Sequence, residues 1–77
     1  MFETYSVHYS TWSVKDWERR NTTLVLAAFD NAKECAIQLS KCIDVLDKVM
    51  VVNNMTGEVL LECKQGDITY TSSDYEE

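Results

Sequence analysis

The segment of residues 29–46, FDNAKECAIQLSKCIDVL, has the clearest helical period in the chain. Asp30 stands at its start and is of a type that caps helix N-termini, so we expect it at the N-cap. A helix with one narrow apolar face needs an apolar surface to lie on, and the flanking segments must supply it. The apolar residues that recur at the spacing of one helix face are Ala32, Cys35, Ala36, Leu39, Cys42, Ile43 and Leu46.

The segments on both sides of this predicted helix have the pattern of strands. Alternating or β-branched runs are typical of strands, and the chain has two before the helix and three after it. The only glycines, Gly57 and Gly66, lie in the gaps between the last three runs, where tight turns favour a residue that tolerates positive φ. The five runs are residues 2–10, 22–28, 48–52, 58–63 and 68–72.

This order predicts a single α+β domain over residues 1–72. Runs of strands joined by short turns pair antiparallel, so we expect a four- to five-stranded antiparallel sheet, in the order β-β-α-β-β-β, with the helix packed on one face. A chain of 77 residues supports one core. Residues 73–77 are expected to form a loose acidic tail. The expected core is Val7, Leu24, Leu26, Ala32, Cys35, Ala36, Leu39, Ile43, Val49, Val51, Val59 and Leu61.

This element order resembles that of many small proteins carried by phages and mobile elements, among them several anti-CRISPR inhibitors. The resemblance covers the whole chain at the level of element order and transfers no site residue to it. It implies a protein that acts by binding another protein.

The charge of the chain disfavours several classes of partner. The formal net charge is −6, whereas direct nucleic-acid binding and binding to anionic membranes both need a basic surface. The sequence has no run of about 18 apolar residues, as a membrane span requires, and no secretory signal. We therefore expect a cytoplasmic protein.

The cysteines and the one histidine do not form a chemical motif. Cys35 and Cys42 lie seven residues apart on the predicted helix, about 10.5 Å, which is too far for a disulfide between them. A bridge from either to Cys63 is the alternative left open; otherwise we expect three free core thiols, no metal and no cofactor. His8 stands between Ser6 and Ser10 but has no acid, elbow turn or oxyanion loop nearby, so we expect no enzyme.

An aromatic and basic group is the most unusual local feature of the sequence. Tyr9, Trp12, Trp17, Arg19 and Arg20 fall within twelve residues, and tryptophan, tyrosine and arginine are enriched at interface hot spots. We predict that these five residues border a partner-binding surface.

Residues 13–20 allow two local structures. In one, Ser13 and Asp16 cap a short helix, and Trp12 and Trp17 form a hydrophobic staple that covers the end of the core. In the other, the segment is a hairpin loop in which residues 18–21 are already extended. The two alternatives place the tryptophans differently, in the core or on the surface.

The sequence therefore favours a small non-catalytic protein-interaction protein. In its sharper form it is an inhibitor or accessory protein encoded by a phage or mobile element. The alternatives are a self-associating structural subunit, for which a homodimer is the simplest form, and an acidic nucleic-acid mimic.

Overall fold

The computed structural model describes residues 3–72, so the predicted acidic tail at 73–77 lies outside the described residues. Within this range the chain forms five strands and one helix in the predicted order, and the α+β class is confirmed. The elements are β1 (Tyr5–Ser13), β2 (Glu18–Leu26), α1 (Phe29–Ser40), β3 (Val45–Asn53), β4 (Val59–Lys64) and β5 (Asp67–Thr71).

The described strands form one antiparallel sheet in the order β2-β1-β3-β4-β5. The helix crosses one face of this sheet and packs chiefly on β3, with lesser contacts to β4 and β1. The first two strands form one hairpin and the last three form a meander. Pairing of β1 with β3 joins these two parts.

The first hairpin differs from the sequence prediction in its boundaries. β1 and β2 pair without interruption from Tyr5–Leu26 to Ser13–Glu18, and residues 14–17 form the turn. The short helix at 13–20 was therefore wrong, and the hairpin alternative is confirmed. Both strands lie closer to the turn than the predicted runs. The prediction missed these boundaries because the turn segment VKDW contains no glycine, asparagine or proline to mark the turn.

The helix is shorter than its apolar period predicted. It ends at Ser40, and the chain then enters β3 at Val45. The predicted helix face is thus wrong at its end: Cys42 and Ile43 are exposed, and Leu46 belongs to β3. Pairing of residues 45 and 46 with β1 requires extended backbone there, and this long-range pairing overrides the helical period.

The start of the helix also corrects a prediction. The N-cap is Ala28, which makes no side-chain capping hydrogen bond, so Asp30 is not the N-cap. It lies one residue inside the helix, in the first turn. Its carboxylate there complements the positive end of the helix dipole.

The core lies between α1 and the sheet. Ala32 and Ala36 are fully buried and allow the helix to lie close to the strands. Four predicted core residues lie outside the core. Ile43 is fully exposed, and Leu24 is 36 % exposed because it sits on the edge strand β2. Cys35 and Val59 are half-buried and do not belong to the core cluster. Leu60 was missed; it is the additional residue where the pairing shifts between Val51–Leu61 and Val52–Val59. The buried apolar residues are Tyr5, Val7, Ala32, Ala36, Val49, Val51, Leu60, Leu61 and Cys63.

The pairing of β1 with β3 contains a large bulge. Between the pairs His8–Met50 and Ser10–Leu46, β1 contributes one residue and β3 contributes three. Asp47 lies within this bulge and adopts a φ of 56°, which is left-handed. Asparagine and aspartate tolerate this conformation better than other non-glycine residues.

The face of the sheet away from α1 is called the open face here. Side chains alternate between the two faces of a strand. Val7, Val51 and Leu61 belong to the core, so His8, Met50 and Glu62, each next to one of them, belong to the open face. One row of paired residues crosses all five described strands on this face: Thr23, His8, Met50, Glu62 and Tyr70.

Candidate interaction surface

The turn of the first hairpin presents a group of exposed apolar side chains, which we call the tryptophan tip: Trp12, Val14 and Trp17. Trp12 is 39 % exposed and Trp17 is 75 % exposed. Their rings meet edge to face, with centroids 6.4 Å apart and an angle of 77° between the ring planes. This geometry is a favourable one for aromatic pairs. The tryptophans therefore pack on each other at the surface and do not cover the core as a staple.

Trp17 occupies an unfavourable backbone conformation. Its φ is 55°, at the last position of the turn before β2. A left-handed conformation is uncommon for bulky residues and costs about 1–2 kcal/mol, and glycine is the usual residue there. A large aromatic side chain at this exposed position thus breaks a local rule without any gain in core packing. Such exceptions concentrate at functional sites.

The two arginines behind the tip lie on opposite faces of β2. Arg19 pairs with Trp12 across the hairpin, and its guanidinium donates to the carboxylate of Asp47 on β3. Arg20 instead bonds to the carboxylate of Asp16 in the turn. Its Nε also lies 3.5 Å from the Glu18 carboxylate. Both guanidinium groups therefore have carboxylate partners within the chain.

Tyr9 is separated from the tip. It pairs with Thr22 and packs, partly buried, against the core on the helix side of the sheet. Of the five predicted residues, the structure thus brings Trp12, Trp17 and Arg19 together on or near the tip. Arg20 lies behind the turn on the other face, and Tyr9 joins the core.

Ile43 is an exposed neighbour of the tip that sequence reasoning missed. The backbone N–H of Trp12 donates to the carbonyl oxygen of Asp44 at 3.0 Å. This bond places the α1–β3 connection, with its fully exposed Ile43, beside the tip. The helical period had assigned Ile43 to the core. The acidic residues Asp44 and Asp47, which are unfavourable at a helix C-terminus, were the local signal against that assignment.

A groove of about 510 Å³ crosses the open face between β2, β1 and β3. The Nδ1 atom of His8 and the Oγ1 atom of Thr23 share a hydrogen bond at 2.9 Å. Ser10 donates to the Oδ1 atom of Asn21 at 2.6 Å. The histidine and the serine are thus held by β2, and no hydrogen bond joins them as a base and a nucleophile. Met50 and Val52 line the groove beside them.

The cysteines are all free. Cys63 is fully buried, and burial raises the pKa of its thiol, an effect that the positive charge of Lys33 partly offsets. Cys35 is half-buried and Cys42 is exposed, so the expectation of three core thiols was wrong for Cys42. Among residues 3–72, no group of three or more potential ligands could hold a metal ion.

Four of the described acidic residues form ion pairs within the chain. Asp16, Glu18, Asp47 and Glu62 are each engaged by an arginine or a lysine. Glu62, for example, accepts from the ammonium group of Lys48 at 3.0 Å on the open face. α1, the helix of the described range, has 12 residues and is too short and too polar to cross a bilayer.

Comparisons of the chain with protein-family models, with curated proteins and with solved structures each returned no match.

Proposed function

We propose that this protein is a non-catalytic binding protein whose tryptophan tip inserts into an apolar pocket of another protein. The observation that carries the proposal is Trp17, which is 75 % exposed and has a left-handed backbone conformation. An exposed tryptophan ring contributes no free energy of burial in the free protein. It contributes this free energy to binding when a partner removes the ring from water.

The ion pairs beside the tip support the same function. Arg19 ties β2 to β3 through Asp47, and Arg20 ties β2 to the turn through Asp16. A surface that is ordered before binding loses less conformational entropy when it binds. The arginines therefore flank the contact and position it, whereas the tryptophans make it.

The tip suits an inhibitor or accessory protein encoded by a phage or mobile element, acting in the cytoplasm. Free cysteines, including the exposed Cys42, are typical of a reducing compartment. The proposal rests on the exposed aromatic pair and on the absence of a catalytic arrangement in the groove around His8, within the described residues.

Affinity capture with matched variants tests this proposal. The wild-type protein, Trp17→Ala and Tyr70→Ala serve as baits in lysate of the native host. Tyr70 is the control because it is an exposed aromatic on β5, at the opposite edge of the sheet. A partner bound by wild type and Tyr70→Ala should be lost with Trp17→Ala, with an affinity at least about tenfold weaker. A partner that binds Trp17→Ala with unchanged affinity contradicts the proposal.

A further inference from the structure

The outer edge of β2 is a long strand edge that lacks most of the usual protections. Its pairing with β1 is regular over all nine residues. The other edge strand of the described sheet, β5, has only five residues, and the pairing of β4 with β5 shifts register between Glu62 and Cys63. Short length and bulges are common protections of strand edges, as are proline and lysine. β2 is long and regular and has neither proline nor lysine, and its charged residues, Glu18, Arg19 and Arg20, are confined to the end next to the turn.

The outward-facing backbone groups of β2 can be assigned from two hydrogen bonds of β1. The N–H of Trp12 points toward β3 and donates to the carbonyl of Asp44. The carbonyl of Thr4, just before β1, also points to that side and accepts from the N–H of Asn54. The backbone N–H and C=O groups of even-numbered residues of β1 therefore point toward β3, and those of odd-numbered residues point toward β2. From the register, even-numbered residues of β2 face β1, and the backbone groups of Arg19, Asn21, Thr23 and Val25 face outward.

Within residues 3–72 these outward groups have no backbone partner, and α1 packs mainly over β3, away from this edge. The half of β2 from residue 21 onward carries no charge, and Val25 is 62 % exposed. A long, regular and partly apolar edge of this kind is a template for a further strand.

The residue order of β2 makes a second copy of the same strand a complementary partner. In an antiparallel pair with its two-fold axis at Thr22, Arg19 faces Val25 of the second copy and Arg20 faces Leu24 of the second copy. The arginine stems can then lie along the aliphatic side chains. An axis at Arg19 or Arg20 would instead place arginine opposite arginine, which is destabilising. The Thr22 axis also pairs the full length of both strands.

We propose that two copies of this chain associate through β2, edge to edge and antiparallel about Thr22, to form one ten-stranded sheet. The four outward-facing residues form four pairs with two backbone hydrogen bonds each, which gives eight across the interface. The two tryptophan tips then lie at opposite ends of the interface and remain free. The proposal therefore goes beyond the tip's function and is independent of it.

Measurement of the mass in solution tests the association itself. Sedimentation or light scattering of the full chain should show a concentration-dependent increase from 8.9 kDa toward twice this mass. A mass of 8.9 kDa that persists up to about 1 mM protein overturns the proposal, because the dissociation constant of any dimer would then lie above that concentration.

Charge variants at residue 25 test the register. Val25→Lys places a lysine opposite Arg19 of the second copy and should weaken the dimer about tenfold, whereas Val25→Glu places a carboxylate there and should stay within about threefold of wild type. Val25→Thr is the neutral β-branched control. Equal weakening by the lysine and glutamate variants overturns the Thr22-centred pairing. Circular dichroism confirms the fold of each variant.

A proline variant tests the backbone pairing separately. Thr23→Pro removes an N–H that faces outward, so it should abolish the dimer while β1 and β2 stay paired. Thr23→Ala keeps this donor and should remain dimeric. A Thr23→Pro variant that dimerises as strongly as Thr23→Ala overturns the proposal. If Thr23→Pro fails to fold, the residue-25 variants decide.

Discussion

Arg19 on the edge strand β2 reaches across β1 to bind the carboxylate of Asp47 on β3. This contact joins the hairpin that carries the tryptophan tip to the meander of the last three strands. It ends at the β1–β3 bulge, where Asp47 has a φ of 56°. Asp47 therefore has two roles at this point: its carboxylate binds the guanidinium of Arg19, and its backbone adopts the left-handed conformation of the bulge.

Substitution at Asp47 separates these two roles. Asp47→Asn keeps a side chain that tolerates the left-handed region and removes the charge. We expect it to lower the free energy of unfolding by at most about 1 kcal/mol, because the ion pair is exposed. Asp47→Ala should cost about 1 kcal/mol more, since alanine is disfavoured at this φ. Urea denaturation measures both; equal stabilities of the two variants would contradict a backbone role.

Trp17→Gly tests the cost of the tryptophan in the turn. Glycine relieves the left-handed strain but loses the ring contact with Trp12, so we expect the free energy of unfolding to change by no more than about 1 kcal/mol. A core tryptophan would instead cost about 3–5 kcal/mol when truncated. Thermal or chemical denaturation distinguishes these values. A loss above about 3 kcal/mol would falsify the surface assignment.

Intrinsic fluorescence should report on the tip alone, because Trp12 and Trp17 are the only tryptophans in the chain. Both rings are at least 39 % exposed. We therefore expect emission close to that of a solvated tryptophan and efficient quenching by acrylamide. Binding of a partner at the tip should shift the emission to the blue and reduce quenching. Emission typical of buried rings in the free protein would argue against the tip.

The cysteines provide a matched pair for a stability measurement. Cys63→Ser places a hydroxyl at a fully buried site and should cost about 1–3 kcal/mol. Cys42→Ser changes an exposed residue and should leave the free energy of unfolding within about 0.5 kcal/mol of wild type. Cys35, half-buried, should give an intermediate loss. A costly change at Cys42 would contradict the exposed position of this residue beyond the end of α1.

The same thiol predicts a pH dependence. Burial raises the pKa of Cys63 above its ordinary value of 9.0, so the folded chain keeps a proton that the unfolded chain loses above this pH. The unfolded state then binds fewer protons, and the free energy of unfolding falls as the pH rises beyond about 9. The stabilising contribution is fully present below this range. Cys63→Ala should show a smaller decrease over the same pH range, measured by urea denaturation.

The parts of the fold that follow local rules were predictable from the sequence. Gly57 and Gly66 have φ values of 75° and 86°, and both mark turns between strands as expected. The alternation around Val7 predicted a half-buried strand, and Ala32 and Ala36 predicted the helix face that packs on the sheet. These residues adopt the conformations that their own types favour.

The parts set by long-range pairing were not predictable. Ile43 continues the helical period, yet the pairing of β3 with β1 draws the chain out of the helix before it. Trp17 takes a turn position that favours glycine, so the usual marker of the turn was missing. Ser13 and Asp16, which hydrogen-bond each other at the turn, were compatible with either local structure. The candidate site was found by composition alone, and only the geometry separates Tyr9, in the core, from the exposed tryptophans.

The strand order also has a consequence for how the chain assembles. β1 has one neighbour, β2, that a turn of residues 14–17 brings to it. Its other neighbour is β3, and this pairing joins residues such as Tyr5 and Asn53, 48 positions apart. Short loops close fast and at low entropic cost, whereas distant pairings are slow. The first hairpin can therefore form during synthesis as soon as residue 26 has emerged. The other edge of β1 stays unpaired until β3 has been made, and we expect formation of the β1–β3 pairing to limit the folding rate.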